Sequence, residues 1–241
     1  MVDSHCHLDL MDDMRKIAES SQLASLSIFA VGTTPKAYPK EMEILHHYST
    51  IKVGLGMHPQ LVGSGYDDIE MFTELVNHSR YIGEVGLDFS KEYIRTKKEQ
   101  MLTFEKIVKL CETYGNKIIS VHSQKSTSTV LEIIEKSSRS KKNIYIFHWF
   151  TGSHTQLKKA LELGCYFSIN PKMTMTKSGQ EIIRAIPANR ILIETDAPFA
   201  LKYSDANQVK NIIEKTVRDV SSIMDCDIIA DLAETEKRLF L

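Results

Sequence analysis

The sequence contains no CxxC pair, and its four cysteines (Cys6, Cys111, Cys165, Cys226) lie far apart. That argues against a structural zinc site built on thiolates and suggests no disulfide framework. No run of about 18 apolar residues is present, so no bilayer-spanning helix is expected. Neither charge sign dominates: 30 Lys+Arg face 31 Asp+Glu, a formal net charge of −1. A strongly basic nucleic-acid coat and a polybasic membrane binder are therefore excluded, though a local basic groove is not. GxGxxG and P-loop patterns are absent, as is any Pro/Gly/Ser-rich linker that would mark a domain boundary. The basic stretch KSSRSKK at 136–142 reads as a solvated helix-to-strand loop. MVDSHCHLDL has an acidic third residue and no basic n-region, so it does not read as a signal peptide. Reduced thiols and a cytoplasmic location are the expectation.

What is present is alternation. Apolar, β-branched runs at 1–8, 23–32, 51–58, 81–88, 117–123, 143–150, 165–170 and 190–196 are separated by helical spacing. In 96–114, for example, Met101, Phe104, Ile107, Val108 and Cys111 follow the i, i+3, i+4 rule. Eight strand–helix units in 241 residues predict an α/β fold, a (β/α)8 TIM barrel of the metal-dependent hydrolase type. An open doubly wound sheet is the alternative, but it usually has fewer strands. The prediction is one domain over 1–241, with two further helices at 205–223 and 226–239. Asp205 and either Asp225 or Asp227 are the candidate N-caps.

Polar residues inside apolar strands are expensive to bury unless they bind something. His5 and His7 stand two apart on the first strand and so share a face. His58 ends the third strand, Glu84 lies inside the fourth, His122 and His148 come near the ends of the fifth and sixth, and Asp196 ends the eighth. The other four histidines (His46, His47, His78, His154) fall in helices or loops. Each residue alone reads most simply as a hydrogen-bonded core group or ion-pair partner. Jointly, in a barrel, they meet at the C-terminal mouth, where barrel enzymes place their chemistry. Imidazoles and carboxylates together suit a borderline or hard divalent cation.

These residues sit in DSHCHLD (3–9), GMHP (56–59), GEVGLD (83–88), VHS (121–123), FHWFTG (147–152) and ETDAPF (194–199). The six motifs resemble the TatD family of metal-dependent nucleases, in that family's order and spacing, up to KRLF at 237–240. The resemblance implies a TIM barrel with two divalent ions, sometimes three, without deciding among Mg, Mn and Zn. His5 and His7 would bind one ion, Glu84 would bridge, His122 and His148 would hold the second, and Asp196 would ligate the first and contact the attacking water. His58 would lie near the substrate phosphate or serve an additional metal. The implied substrate is nucleic acid, DNA ends or single strands. TTPKAY (33–38), HPQL (58–61) and GCYFSINPKM (164–173) are similar to the short TatD-like nuclease of the Qat anti-phage defence system, which implies Qat-system proteins as partners.

Departures from the pattern fall on the substrate side. Gln60 stands where many relatives have a histidine, and Gln124 where many have an arginine. ALKYSDANQ (200–208) replaces a phosphate-contacting segment. Gln60, Gln124, His58 and Lys202 are the candidate substrate contacts. Lys91, Lys125, Lys172 and Lys202 follow strands and offer charge, although each also reads as an ordinary surface lysine. Phe89, Trp149, Phe150, Phe199 and Tyr203 could stack on bases, although the alternation points Trp149 outward toward the helices. His154 is a further phosphate-contact candidate. Physically, a carboxylate such as Glu84 can give one oxygen to each of two ions, and Asp196 is the general-base candidate. Glu194 could orient a histidine ligand or sit in a buried ion pair. Two alternatives remain. One is an amidohydrolase or phosphotriesterase, whose fourth strand often carries a carboxylated lysine that is absent here; the other is an interaction subunit with a metal site but little catalysis.

Overall fold

The computed structural model describes residues 1–137, 142–203 and 205–241. Most of the predicted 136–142 loop therefore lies outside the described residues. The chain runs β1 (Val2–Cys6), α1 (Met14–Leu23), β2 (Ser27–Val31), α2 (Tyr38–Leu45), β3 (Ile51–Gly54), α3 (Ile69–Leu75), β4 (Tyr81–Asp88) and α4 (Lys97–Tyr114). It continues β5 (Ile118–Gln124), α5 (Thr127–Ser137), β6 (Ile144–His148), α6 (His154–Glu162), β7 (Tyr166–Ile169), α7 (Pro171–Thr174), α8 (Lys177–Ala185) and β8 (Ile191–Ile193). Two helices follow, α9 (Ala206–Met224) and α10 (Ile229–Phe240).

All paired strands are parallel, in two arcs: β1-β2-β3 and β4 through β8. Backbone hydrogen bonds join the arcs at both seams. At one, Gly83 N donates to Leu55 O (3.0 Å) and Glu84 N to Gly32 O (2.8 Å). At the other, Asp196 N donates to His5 O (3.0 Å) and His7 N to Ala197 O (2.9 Å). The strands are buried on both faces, which is why they read as near-continuous apolar runs. Inward residues of the surrounding helices complete the core, as Val209, Ile213, Val217 and Val220 do from α9.

Two glycines allow the strands this close. A Cβ on Gly86 (φ 142°) would lie 2.1 Å from the His122 carbonyl oxygen, and one on Gly56 only 1.7 Å from that of Gly32. Only glycine fits where backbone meets backbone in this way.

Several strands are shorter than expected, because their backbone donors are claimed elsewhere. β3 stops at Gly54, since Met57 N turns to Glu84 O (3.0 Å) and His58 N to Thr33 O (2.9 Å), on different segments. β8 stops at Ile193, because Thr195 N is taken by the Asp3 carboxylate (2.9 Å). Leu23 closes α1 rather than opening β2. Asp205 caps α9 as expected, whereas Asp225 is that helix's left-handed C-terminal residue (φ 53°). Asp227 accepts from Ile229 N at the start of α10. Among the described residues no helix is long and apolar enough to cross a membrane.

Candidate metal centre

The C-terminal ends of the strands bring the predicted residues together. His5 lies in β1 and His7 one residue beyond it; His58 follows β3; His122 is in β5, and His148 ends β6. Asp196 follows β8 with a left-handed backbone (φ 48°) fixed by its N–H bond to β1. Glu84, midway along β4, lies at the centre. Its Oε2 faces His7 Nε2 (3.0 Å), His58 Nε2 (3.3 Å) and His5 Nε2 (3.4 Å). Its Oε1 faces His122 Nδ1 (2.7 Å) and His148 Nε2 (2.8 Å). The two oxygens thus address two different groups of imidazoles.

Burial would lift the Glu84 carboxyl, but the positive character of His58, His148, His122 and His5 outweighs it and holds the group well below the usual carboxylate range. Burial and the neighbouring His148 push His5 well below its ordinary value, and burial lowers His58. His148 and His122 resist burial and are raised, chiefly by Glu84. Burial pushes Asp196 up to about 7.

Protons alone satisfy this cluster badly. Five imidazoles converge on one carboxylate, which has about four acceptor sites. Ring nitrogens also face one another, His5 Nε2 to His7 Nε2 at 3.3 Å and His148 Nε2 to His122 Nδ1 at 3.3 Å. Three donor sets have their ligating atoms within 4.8 Å of each other: His5, His7 and Asp196; His58, Glu84 and His122; His5, His148 and Glu194. Imidazole nitrogen and carboxylate oxygen, with no thiolate, are the donors a borderline or hard divalent cation takes. The residues fit such ions.

A cavity of about 450 Å³ opens onto the cluster and is lined by His7, His58, Glu84, His122, His148 and Asp196. Gln60, Gln124, Trp149 and Phe199 form part of its wall, while His5 is buried behind it.

A model of the TatD-related DNases matches residues 2–239. The chain belongs to the TatD family of metal-dependent hydrolases. It is 26% identical over 256 residues to the uncharacterized metal-dependent hydrolase YabD of Bacillus subtilis, covering 100% of this chain and 98% of that one. It is 25% identical to the human deoxyribonuclease TATDN3, covering 82% of this chain and 78% of that protein. The TatD homologue YjjV of Escherichia coli superimposes with a TM-score of 0.82 at 19% identity, over 100% and 97% of the two chains. That likeness carries the fold.

The remaining candidates divide. Gln60 donates its amide to Asp88 Oδ2 (2.8 Å), and Gln124 is exposed at the cavity wall. Lys202 is exposed and does not line the cavity; Lys91 and Lys125 are exposed, and His154 stands exposed at the start of α6. Tyr203 is buried with its hydroxyl on Cys6 Sγ (2.8 Å), so it presents no stacking face. Phe150 packs in the core against Phe147 and Phe167. Trp149 does not point outward to the helices. Its φ of 39° breaks the strand alternation and turns the indole to the cavity wall.

Glu194 is not in an ion pair with a Lys or Arg among the described residues. Its carboxylate accepts from Ser168 Oγ, Asn170 Nδ2 (3.2 Å) and Trp149 N (3.2 Å), and lies 3.7 Å from His148 Nδ1. Sequence reasoning missed Asp88 and Ser120. Asp88 Oδ2 contacts His122 Nε2 (3.2 Å), and bonds from His122, Gln60 and Ser90 overcome its burial to hold it well below the usual range. Ser120 Oγ meets His5 Nδ1 at 2.7 Å. Both sit at even spacing from a predicted ligand on the same strand, which was the available signal.

Proposed function

We propose that this TatD-family chain is a single-domain deoxyribonuclease that hydrolyses phosphodiester bonds in DNA ends or single strands, using two divalent ions, Mg, Mn or Zn. The observation that carries the reading is Glu84, whose two oxygens face two separate imidazole groups. His5, His7 and Asp196 would hold one ion and His122 with His148 the other, Glu84 giving an oxygen to each. When bound, the ions supply activation of a water at neutral pH and relief of charge on the phosphate.

The chain's own side chains do the rest. Asp196, at the cavity wall with its backbone tied to β1, is held to accept the proton of the attacking water. Ser120 on His5 and Asp88 on His122 fix the ring orientations. His58, only slightly exposed at the cavity wall with its Nε2 toward Glu84, would meet an incoming phosphate oxygen or serve a third ion. β4 reads YIGEVGLD and offers no lysine for carboxylation, which favours the nuclease over amide or phosphotriester hydrolysis. The names of deoxyribonuclease relatives support a DNA substrate.

Purified protein with Mg2+, Mn2+ or Zn2+ and labelled single- and double-stranded DNA tests this, beside Glu84→Ala and Asp196→Ala. Cleavage is expected only with the native residues, and none is expected of small amides or phosphotriesters. Cleavage that survives both substitutions would sink the site. We further propose a cytoplasmic role in an anti-phage defence complex, supported by the TTPKAY and GCYFSINPKM segments. Adjacent genes for an ATPase and a QueC-like protein, and co-purification with their products, are its test.

A further inference from the structure

A second cavity of about 380 Å³ adjoins the metal cavity, and Trp149 and Thr151 form part of the wall of both. Its lining is largely apolar, with Trp149, Met173 and the 80% exposed Met175, and Lys172 stands at its edge. The Lys172 ammonium lies 5.2 Å from the centre of the Trp149 ring and donates to the Phe199 carbonyl (3.3 Å). Phe199 itself is 59% exposed, edge-on to His7 at 5.2 Å between ring centres. An aromatic plate is thus placed beside the metal centre, with a cation against it and an apolar recess next to it.

The plate is built rather than incidental. A bulky residue at φ 39° is strained, and such strain persists only where the surroundings impose it. Here Trp149 N donates to Glu194 Oε1, the same oxygen that accepts from Asn170 Nδ2. Asn170 in turn caps α7, its Oδ1 accepting from Lys172 N (3.0 Å) and Met173 N (3.3 Å). One carboxylate beside His148 therefore positions both halves of the Trp149–Lys172 pair. A nucleobase has a π-face for the indole, and its own phosphate has a charge for the ammonium; an apolar small molecule would offer Lys172 no opposite charge.

Resting on the nuclease reading, we propose that the Trp149–Lys172 cavity is a subsite that takes one unpaired nucleobase of a DNA strand whose neighbouring phosphate lies at the metal centre. Stacking of this kind tolerates any base and requires a single strand, so the site would select against paired DNA without reading sequence.

Trp149 is the only tryptophan of the chain, so its emission reports on the wall that the two cavities share. The full-length Asp196→Asn variant with Mg2+ is titrated with an end-labelled single-stranded oligonucleotide, following Trp emission and label anisotropy together. Both signals are expected to saturate at one concentration. An abasic residue beside the bound phosphate should weaken binding about 5- to 160-fold, the range of one base–aromatic stack. Trp149→Ala and the surface variant Lys172→Ala should shrink that intact-over-abasic advantage, and Trp149→Phe should keep most of it. Anisotropy that saturates with no change in Trp emission overturns the subsite and leaves the nuclease reading standing. An intact-over-abasic advantage unchanged in Trp149→Ala does the same. No binding and no cleavage of any strand by the native protein overturns both.

Discussion

Glu41 offers a quantitative test of how the barrel handles a buried acid. Its side chain projects from α2 and is 3% exposed, and its Oε1 has no hydrogen-bond partner among the described residues. Burial first, and then the nearby charge of Asp9, raise its pKa from 4.5 to about 8. The folded protein therefore keeps the Glu41 proton through a window in which the unfolded chain has lost it. More protons bound in the folded state means that stability falls as pH rises from about 4.5 to about 8 and is level on either side. At about 1.4 kcal/mol per unit, the full interval is worth at most about 5 kcal/mol; water reaching the site reduces this, so about 2–5 kcal/mol is expected. Glu41→Gln is neutral at every pH and keeps the shape. Below pH 5 it should match the parent within about 1 kcal/mol, and at pH 8.5 it should be the more stable by about 2–5 kcal/mol.

Urea unfolding at pH 5, 6, 7 and 8.5, with EDTA present, measures the difference. Asp3 and Asp196, both raised to about 7 by burial, bend both curves alike and drop out of the comparison. Two parallel curves would refute the reasoning, because they would mean that Glu41 ionises in the folded protein as readily as in the unfolded one.

Glu194→Gln, which weakens the polar support of His148, Trp149 and Asn170, should reduce divalent-ion affinity about 10- to 100-fold by calorimetric titration without unfolding the chain. Gly86→Ala places a Cβ 2.1 Å from the His122 carbonyl at a φ reserved for glycine, and should lower the urea-derived stability by about 2–4 kcal/mol. Saturating the native protein with Mn2+ at about 100 times its dissociation constant should add about 2.7 kcal/mol and raise Tm by about 5–10 °C over EDTA, read by differential scanning calorimetry. Identical Tm values would count against a metal centre in this cluster. Affinity for a single strand should fall only shallowly with salt, a log–log slope near −1, because few lysines are placed to meet phosphates.

Much of the barrel was legible because a parallel strand buried on both faces leaves a continuous apolar run, against which polar residues at the strand ends stand out together. His5, His7, Glu84, His122, His148 and Asp196 were singled out by that contrast, and the structure brings the six side chains together at one mouth. Strand ends were not legible, since β3 and β8 stop where backbone donors cross to other segments, which no local pattern records. Asp88 escaped notice as a strand terminus, although its place four residues after Glu84 put it on the same face. Trp149 was misplaced for a different reason. Alternation holds only while the backbone stays extended, and its left-handed φ reverses the side on which the indole emerges.

That reversal bears on how a chain of net charge −1 could meet a polyanion. Among the described residues, the wall of the metal cavity contains no Lys or Arg; amides at Gln60 and Gln124 stand at its rim. Gln60, moreover, is occupied with Asp88 and so acts on the His122 support rather than outward. On the proposed reading, attraction for a phosphate would come from within the centre, from divalent ions and the imidazoles around them, with Lys172 close to the aromatic edge. Such a site gains little from long-range steering and more from what fits beside it. On the proposed nuclease reading, charge would be local to the reacting phosphate, and selectivity would fall to the flat apolar surfaces of Trp149 and Phe199 beside it.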